Sequence, residues 1–426
     1  MKLESFWLDT VPRFNGVAEG PIDTQADVVI IGGGFTGLSA ALALAKRGAS
    51  VVVLEAGRLV GEASGRNGGQ CNAGTLQDYR SLVNSYGIER ARRYYQEFTA
   101  AVDSVERLAS EEHIDCDFQR RGKLKLASKP THFENMVKTF EALKADNVDS
   151  NIELLTPDCL HNEICSKDYH GGLLQTTSAQ LHIGKFGNGL AQAAKKRGVK
   201  LYESAAATGV NRQSNGAWQI STPRGSVTSN QALIATGGSG GGPFGWFRRR
   251  VIPVGSFIIV TEPLDTERLN RLLPNRRSYV TSNNIGNYFR VTEDNRLVYG
   301  GRARFAMSNP KSDRHSGTIL RDSLVHAFPE LADISIDYCW GGSVDMSADR
   351  MPHAGQHRGL YYSMGYSGHG VQMAIHMGQI LADMIDGNEH ANPWSELKWP
   401  PIPGHFGKPW FLPVVGAYYR VKDILY

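Results

Sequence analysis

The stretch DVVIIGGGFTG, residues 27–37, decides the fold. A short apolar run that ends in glycines has the texture of a strand buried on both faces of a parallel sheet. From Thr36 to Gly48, Leu38, Ala41, Leu42 and Ala45 recur at helical spacing, and glycine closes the segment. Residues 50–54 (SVVVL) make a second buried strand, followed by Glu55. Together they form one βαβ unit. Within it Gly32, Gly34 and Gly37 match GxGxxG. A chain with 47 glycines can produce that spacing by chance, so the strand before, the helix after and the acid beyond carry the argument. Gly32 permits the tight turn, Gly34 lets backbone approach a pyrophosphate at the helix N-terminus, and Gly37 lets helix and strand pack closely. Glu55, eighteen residues past Gly37, can accept hydrogen bonds from ribose hydroxyls. The alternative is a packing motif with no ligand.

The next stretch, GEASGRNGGQCNAG (61–74), has no large aliphatic side chain to bury. It is either a mobile surface loop or a bed of near-naked backbone for something flat. Gly68 and Gly69 offer close approach, and Arg66, Asn67 and Gln70 offer hydrogen-bonding edges. A flavin ring needs such a bed; a simple nicotinamide enzyme does not. Far along the chain, GYSGHGV (365–371) stands at the start of a predicted helix. Free N–H groups and the helix dipole there favour negative charge, which suits a reduced flavin. Gly365, Gly368, His369, Gly370 and Val371 are therefore cofactor candidates. Thr236 and Gly237 end a further strand-like run, 231–235. No second GxGxxG follows a strand, so electrons are expected from the substrate rather than from NAD(P)H.

At 426 residues the chain is too long for one core. Composition is ordinary, with 41% hydrophobic and 21% charged residues and a formal charge of +4. The single basic run, Arg248 to Arg250, reads as a solvated face, and no nucleic-acid partner is expected. Five irregularly spaced cysteines without CxxC argue against a disulfide framework and a thiolate metal site. No metal site is expected. The start shows no apolar signal segment and no run is long enough to span a membrane, so the expected location is the cytoplasm.

Residues 245–340 alternate, as in SFIIVTEP, NYFRV and the stretch 296–305, RLVYGGRARF. The expected fold class is α/β, with a discontinuous Rossmann-like nucleotide domain and a substrate domain built on a mostly antiparallel sheet. The partition is 22–84, 167–244 and 341–390 for the nucleotide domain, 85–166 and 245–340 for the substrate domain, and 391–426 for a tail. The tail is broken by prolines and reads as packing on the body or a partner subunit, with membrane contact as the lesser alternative.

GGGFTGLSAAL, VVVLEA, EASGRNGGQ, ATGG, YGGR and YYSMGYSGHGV, in that order, resemble the D-amino-acid-oxidase-like flavin oxidoreductases. The branch they resemble most is the gamma-glutamylputrescine oxidases, relatives of the L-pipecolate oxidases. The likeness extends to NYFRVTEDNRLVYGG and to GAYYRVKD in the tail. It implies FAD, held covalently or not, with contacts that also include Phe35, Thr36, Ala56, Ser64 and Val210. It implies a small amine as substrate, hydride transfer to flavin N5, and reoxidation by oxygen or another acceptor. The expected reaction is oxidation of gamma-glutamylputrescine or a related primary amine to aldehyde, ammonia and hydrogen peroxide, in polyamine catabolism. The alternatives are a cyclic or N-substituted amino acid such as L-pipecolate, or a flavin-binding subunit without turnover.

Tyr288, Arg290 and Arg302 lie on two strands that the turn Glu293-Asp294-Asn295 makes neighbours, and they are the substrate-pocket candidates with His369. Arginine is the favoured partner of a carboxylate. Sarcosine oxidases, within the same resemblance, place a lysine beside the flavin from the region before the NYFR-like hairpin. No lysine occurs here between Lys200 and Lys311. Those relatives also attach flavin to a cysteine; Cys339 falls near that segment, and a buried structural role is the competing reading.

Overall fold

The apolar run before the first glycines sits at the centre of a sheet. In this computed structural model, which describes residues 1–238, 242–302, 308–407 and 409–425, strand Ile22–Ile31 lies between Val51–Leu54 and Gly225–Ile234, parallel to both. Lys200–Tyr202 extends one side in parallel and Leu360–Met364 the other, with His353–His357 antiparallel at that edge. Side chains alternate across the strands. Val28, Ile30, Val51 and Val53 face the helices Phe35–Lys46, Ile183–Lys196 and Gly370–Ile385. Val29, Ile31, Val52 and Leu54 face Trp218, Ile220, Phe244 and Phe247, so an antiparallel flap and two aromatic rings cover the second side in place of helices.

The second sheet has eight strands, in the order Ile336–Met346, Ile252–Pro263, Arg296–Gly301, Asn287–Val291, Ser278–Thr281, Lys123–Leu126, Gly172–Gln175, Ile152–Leu155. Among the described residues Ser278–Thr281 and Lys123–Leu126 are the one pair of these strands that runs in parallel, which matches the expected antiparallel wall. Tyr279, Phe289 and Tyr299 stack in series on one face, with centroids 5.0 and 5.5 Å apart. Helix Pro310–Ala327 and Phe328 close that side. The two-residue period then turns Tyr288 and Arg290 to the opposite face, toward the glycine-rich loop.

The sequence partition shifts at several places. Gly172–Gln175 lies in the antiparallel sheet, not in the nucleotide domain, and Ile336–Met346 runs through the boundary at 340. Helix Ile88–Glu111, assigned to the substrate domain, packs on helix Gly370–Ile385, where His376 bonds Ser104 at 2.9 Å and Glu97 at 2.8 Å. The tail contains a helix, Leu412–Leu425, that sequence reading missed. Residues 303–305 of the alternating stretch, and the glycines after Gly238 up to 241, lie outside the described residues.

All five cysteines are free. Cys339 lies on the far face of the second sheet, against Gly317 of helix Pro310–Ala327, and its thiol donates to the Asp313 carbonyl at 3.2 Å. Burial pushes its thiol pKa up to about 12. The competing reading of a buried structural cysteine is the one this geometry supports. Among the described residues no helix is long and apolar enough to cross a membrane, and no cluster of ligating side chains forms a metal site.

Candidate active site

Segments 32–37, 236–237 and 365–371, remote in sequence, meet at one end of the parallel sheet. Gly32 adopts φ +114°, and a Cβ there would stand 2.4 Å from the Ala235 carbonyl, the residue before Thr236 and Gly237. Ala235 N–H in turn donates to Ile31 O at 2.8 Å. The third segment is tied to the first by Tyr366, whose hydroxyl lies 2.8 Å from Thr36 Oγ1 and 2.9 Å from Ser363 Oγ. Gly37 works as the motif requires: a Cβ there would fall 1.9 Å from the Gly32 carbonyl.

Around the first turn the expected residues converge. Ser64 Oγ accepts from Phe35 N at 3.0 Å and faces Gly34. Glu55 accepts from Gly33 N at 2.7 Å and Gly57 N at 2.8 Å, with Ala56 exposed between them. Burial raises the Glu55 pKa against the lowering effect of those two amides. Val210 is not brought here. It pairs with Ile220 in the flap, which joins the sheet near Val227, well before the strand's glycine end. Ala205, whose N–H donates to Glu55 O at 2.8 Å, is the residue of this stretch that borders Glu55.

The loop 61–74 is not a mobile surface segment. Arg66 Nε donates to Gly341 O at 2.6 Å, and Arg66 O accepts from Trp340 Nε1 at 2.9 Å. Asn67 Oδ1 accepts from Gly69 N at 2.9 Å, and Trp7 Nε1 donates to Asn67 O at 2.7 Å. Gln70 Nε2 donates to Phe289 O at 3.1 Å. These bonds weld a chain with little apolar surface to the second sheet.

Arg290 belongs to this weld and not to a substrate pocket. It is buried, with Nε on Gly68 O at 2.8 Å, Nη2 on Leu181 O at 2.7 Å, and Trp7 beneath its guanidinium at 4.9 Å. Burial lowers its pKa to about 10. Alternation along a strand gave its face correctly but could not tell that its reach ends on carbonyls.

Tyr288 and Arg302 do face the space between loop and sheet. The Tyr288 ring fills the gap between two glycines: a Cβ at Gly68 would come within 2.9 Å of it and one at Gly300 within 2.4 Å. Its hydroxyl lies 3.0 Å from Ser256 Oγ. Burial raises its pKa to about 12, so it remains a neutral donor and acceptor at pH 7. Arg302 is partly buried, and its contacts among the described residues are long, 3.5 Å to Asn284 O and 3.9 Å to Met346 Sδ. Burial, reinforced by Arg350, lowers its pKa. Among the described residues no carboxylate forms an ion pair with it.

His369 is buried within the third glycine segment. It caps helix Gly370–Ile385 with its ring edge-on to Phe98, centroids 5.3 Å apart. Burial, then Lys123, lowers its pKa to about 3, which leaves a weak base. Two residues were missed. Lys123 enters from an earlier strand and donates to Ala73 O at 2.8 Å, its pKa lowered to about 7 by burial. It precedes the lysine-free span between Lys200 and Lys311. Asp345 accepts from Gly365 N at 2.7 Å and lies 3.8 Å from the Cβ position of Gly237; burial raises its pKa to about 6. A lone acid in the small-residue run GGSVDMS was the available signal.

The donor set fits FAD. Helix Phe35–Lys46 begins with N–H groups that have no intrahelical partner. A Cβ at Gly368 would meet nothing within 4 Å, and the buried His369 Nδ1 has no hydrogen-bond partner among the described residues. Gly32–Gly37 and Glu55 would hold the nucleotide half, and the welded loop with Gly365–Val371 the flavin half.

Comparison with known proteins agrees. Escherichia coli gamma-glutamylputrescine oxidoreductase is 31% identical over 416 residues, covering 95% of this chain and 96% of its own. Two solved structures share the fold: glycine oxidase from Geobacillus kaustophilus (TM-score 0.75, 20% identity, 89% of this chain and 100% of its own) and L-proline dehydrogenase from P. horikoshii (TM-score 0.70, 18% identity, 92% and 98%). The profile of the DAO family, FAD dependent oxidoreductase, matches residues 27–384. The chain is a member of that family and an FAD-dependent oxidoreductase.

Proposed function

We propose that the protein oxidises a primary amine that carries a carboxylate at its other end, gamma-glutamylputrescine first, to the aldehyde, ammonia and hydrogen peroxide. One observation carries this reading: the Arg302 guanidinium stands beside Tyr288, between loop and sheet, with no described carboxylate to neutralise it. A bidentate carboxylate is its natural complement. The name of the relative from Escherichia coli supports the choice of substrate.

When bound, FAD supplies the two-electron acceptor for the hydride that leaves the carbon beside the amine nitrogen. The chain does the rest. Arg302 orients the substrate by its carboxylate. The dry surroundings of Tyr288 disfavour an ammonium and leave the amine neutral, as loss of hydride requires. Tyr288, fixed by Ser256, presents a hydroxyl for positioning. An amino acid such as L-pipecolate would use Arg302 too, through its own carboxylate.

Anaerobic addition of a panel of amines and amino acids to the holoenzyme tests the proposal. The visible flavin band should bleach with gamma-glutamylputrescine and return with peroxide when oxygen is admitted. Bleaching by pipecolate alone supports the second reading. No bleaching by any member means a flavin-binding subunit, and recolouring without peroxide means a dehydrogenase.

A further inference from the structure

We propose that the terminal helix, Leu412–Leu425, roofs the substrate entrance, and that Tyr419 on it joins Arg350 and Arg302 in holding the anionic end of the substrate. The inference rests on the carboxylate-bearing amine proposed above.

The helix is latched by one face. Asp423 Oδ1 accepts from Asn284 N at 2.9 Å and Asn284 Nδ2 at 2.8 Å, and Oδ2 accepts from Ile285 N at 2.8 Å. Lys129 adds a bond to the Asp423 carbonyl. Residues 283–286 form the turn that leads into strand Asn287–Val291, which carries Tyr288, and Arg302 reaches Asn284 O. Four residues before Asp423, on the same helix face, the Tyr419 hydroxyl accepts from Arg350 Nη2 at 3.1 Å. Leu412, Gly416, Tyr419 and Asp423 turn inward, whereas Trp410, Val414, Tyr418 and Val421 are exposed.

Arg350 stands in the turn after strand Ile336–Met346, and Met346 at the end of that strand touches Arg302. Arg302 therefore lies between the latched loop and the Arg350 turn, and its charge feels both Arg350 and Tyr419. Neither arginine has an ion pair with a described carboxylate. Two guanidinium groups and a phenol that converge without an anion form a receptor for one. The sequence stretch GAYYRVKD, unexplained by the cofactor, supplies both the latch and the phenol.

The test uses the holoenzyme and two amines with the same reacting arm, gamma-glutamylputrescine and N-acetylputrescine, of which only the first has a carboxylate. Arg350→Gln should raise KM for gamma-glutamylputrescine roughly tenfold, the loss of one charge-assisted bond, and Tyr419→Phe somewhat less. KM for N-acetylputrescine should stay within about twofold, and Arg350→Lys should recover part of the loss. Glutarate binding to the oxidised holoenzyme, read from the flavin difference spectrum, should weaken in parallel. Equal changes with both amines, or unchanged glutarate affinity in both variants, would overturn the proposal. Should the wild type turn over neither amine, the function proposed above fails and the glutarate titration alone decides this one.

Discussion

Gly37→Ala gives the most direct test of how the first glycine turn works. The added Cβ would stand 1.9 Å from the Gly32 carbonyl and 3.2 Å from Ile30 Cγ2. A Cβ contact needs at least 3.0 Å, so helix and strand must part by about 1.1 Å (3.0 minus 1.9). The obstacle is backbone and cannot rotate aside. The helix cannot simply slide, because nine of the twelve residues in Phe35–Lys46 are buried. Overpacking of this kind costs about 1–3 kcal/mol. The same displacement moves the first-turn N–H groups away from a bound pyrophosphate. Loss of one such charge-assisted bond, about 1.5–3 kcal/mol, weakens FAD binding by roughly 10- to 100-fold. Titration of FAD into the apoprotein, followed by flavin fluorescence, measures this. Gly245→Ala is the control, since its Cβ would meet nothing within 4 Å. If Gly37→Ala binds FAD within about twofold of wild type, the turn does not hold the nucleotide as described.

Three further outcomes follow from the site. Arg302→Ala should raise KM for a carboxylate-bearing amine by roughly 10- to 100-fold, with Arg302→Lys in between; steady-state kinetics on both variants checks it, and an unchanged KM removes Arg302 from the pocket. Arg290→Leu should strip the donors from the Gly68 and Leu181 carbonyls and destabilise the protein by about 2–3 kcal/mol, while KM of whatever holoenzyme forms stays near wild type; a selective KM change would return Arg290 to the substrate site. For Asp345 the sign follows from its raised pKa, about 6 against an ordinary 3.8. The folded state binds more protons between those values, so stability falls as pH rises from about 4 to 6. Asp345→Asn should flatten that slope in the apoprotein and raise its Tm at pH 7; urea melts across the range would show an unchanged slope if the assignment is wrong.

The local part of this architecture was legible in the sequence, because its signals are short-range. GxGxxG works through contacts within one βαβ unit, and the resulting turn has the Gly37-to-Gly32 approach that the spacing requires. The bare loop announced itself by lacking anything to bury. What stayed hidden depends on where long side chains end. Arg290 and Tyr288 occupy the same face of one strand, yet the first ends on two carbonyls and only the second faces the pocket space. Lys123 and Asp345 come from segments whose nearness is created by sheet order, which spacing along the chain does not encode. Prolines in the tail mask the terminal helix in the sequence pattern, although Pro413 stands in its first turn, where a missing N–H costs nothing.

We propose that segments 32–37, 236–237 and 365–371 close around one FAD with the 66–70 loop beneath its ring. A crystal structure of the holoenzyme tests it most directly. The expected result is one FAD per chain, its pyrophosphate on the first-turn N–H groups of helix Phe35–Lys46 and its ring against Gly68 and Gly69. A flavin lodged elsewhere, or a ring out of contact with that loop, would contradict it.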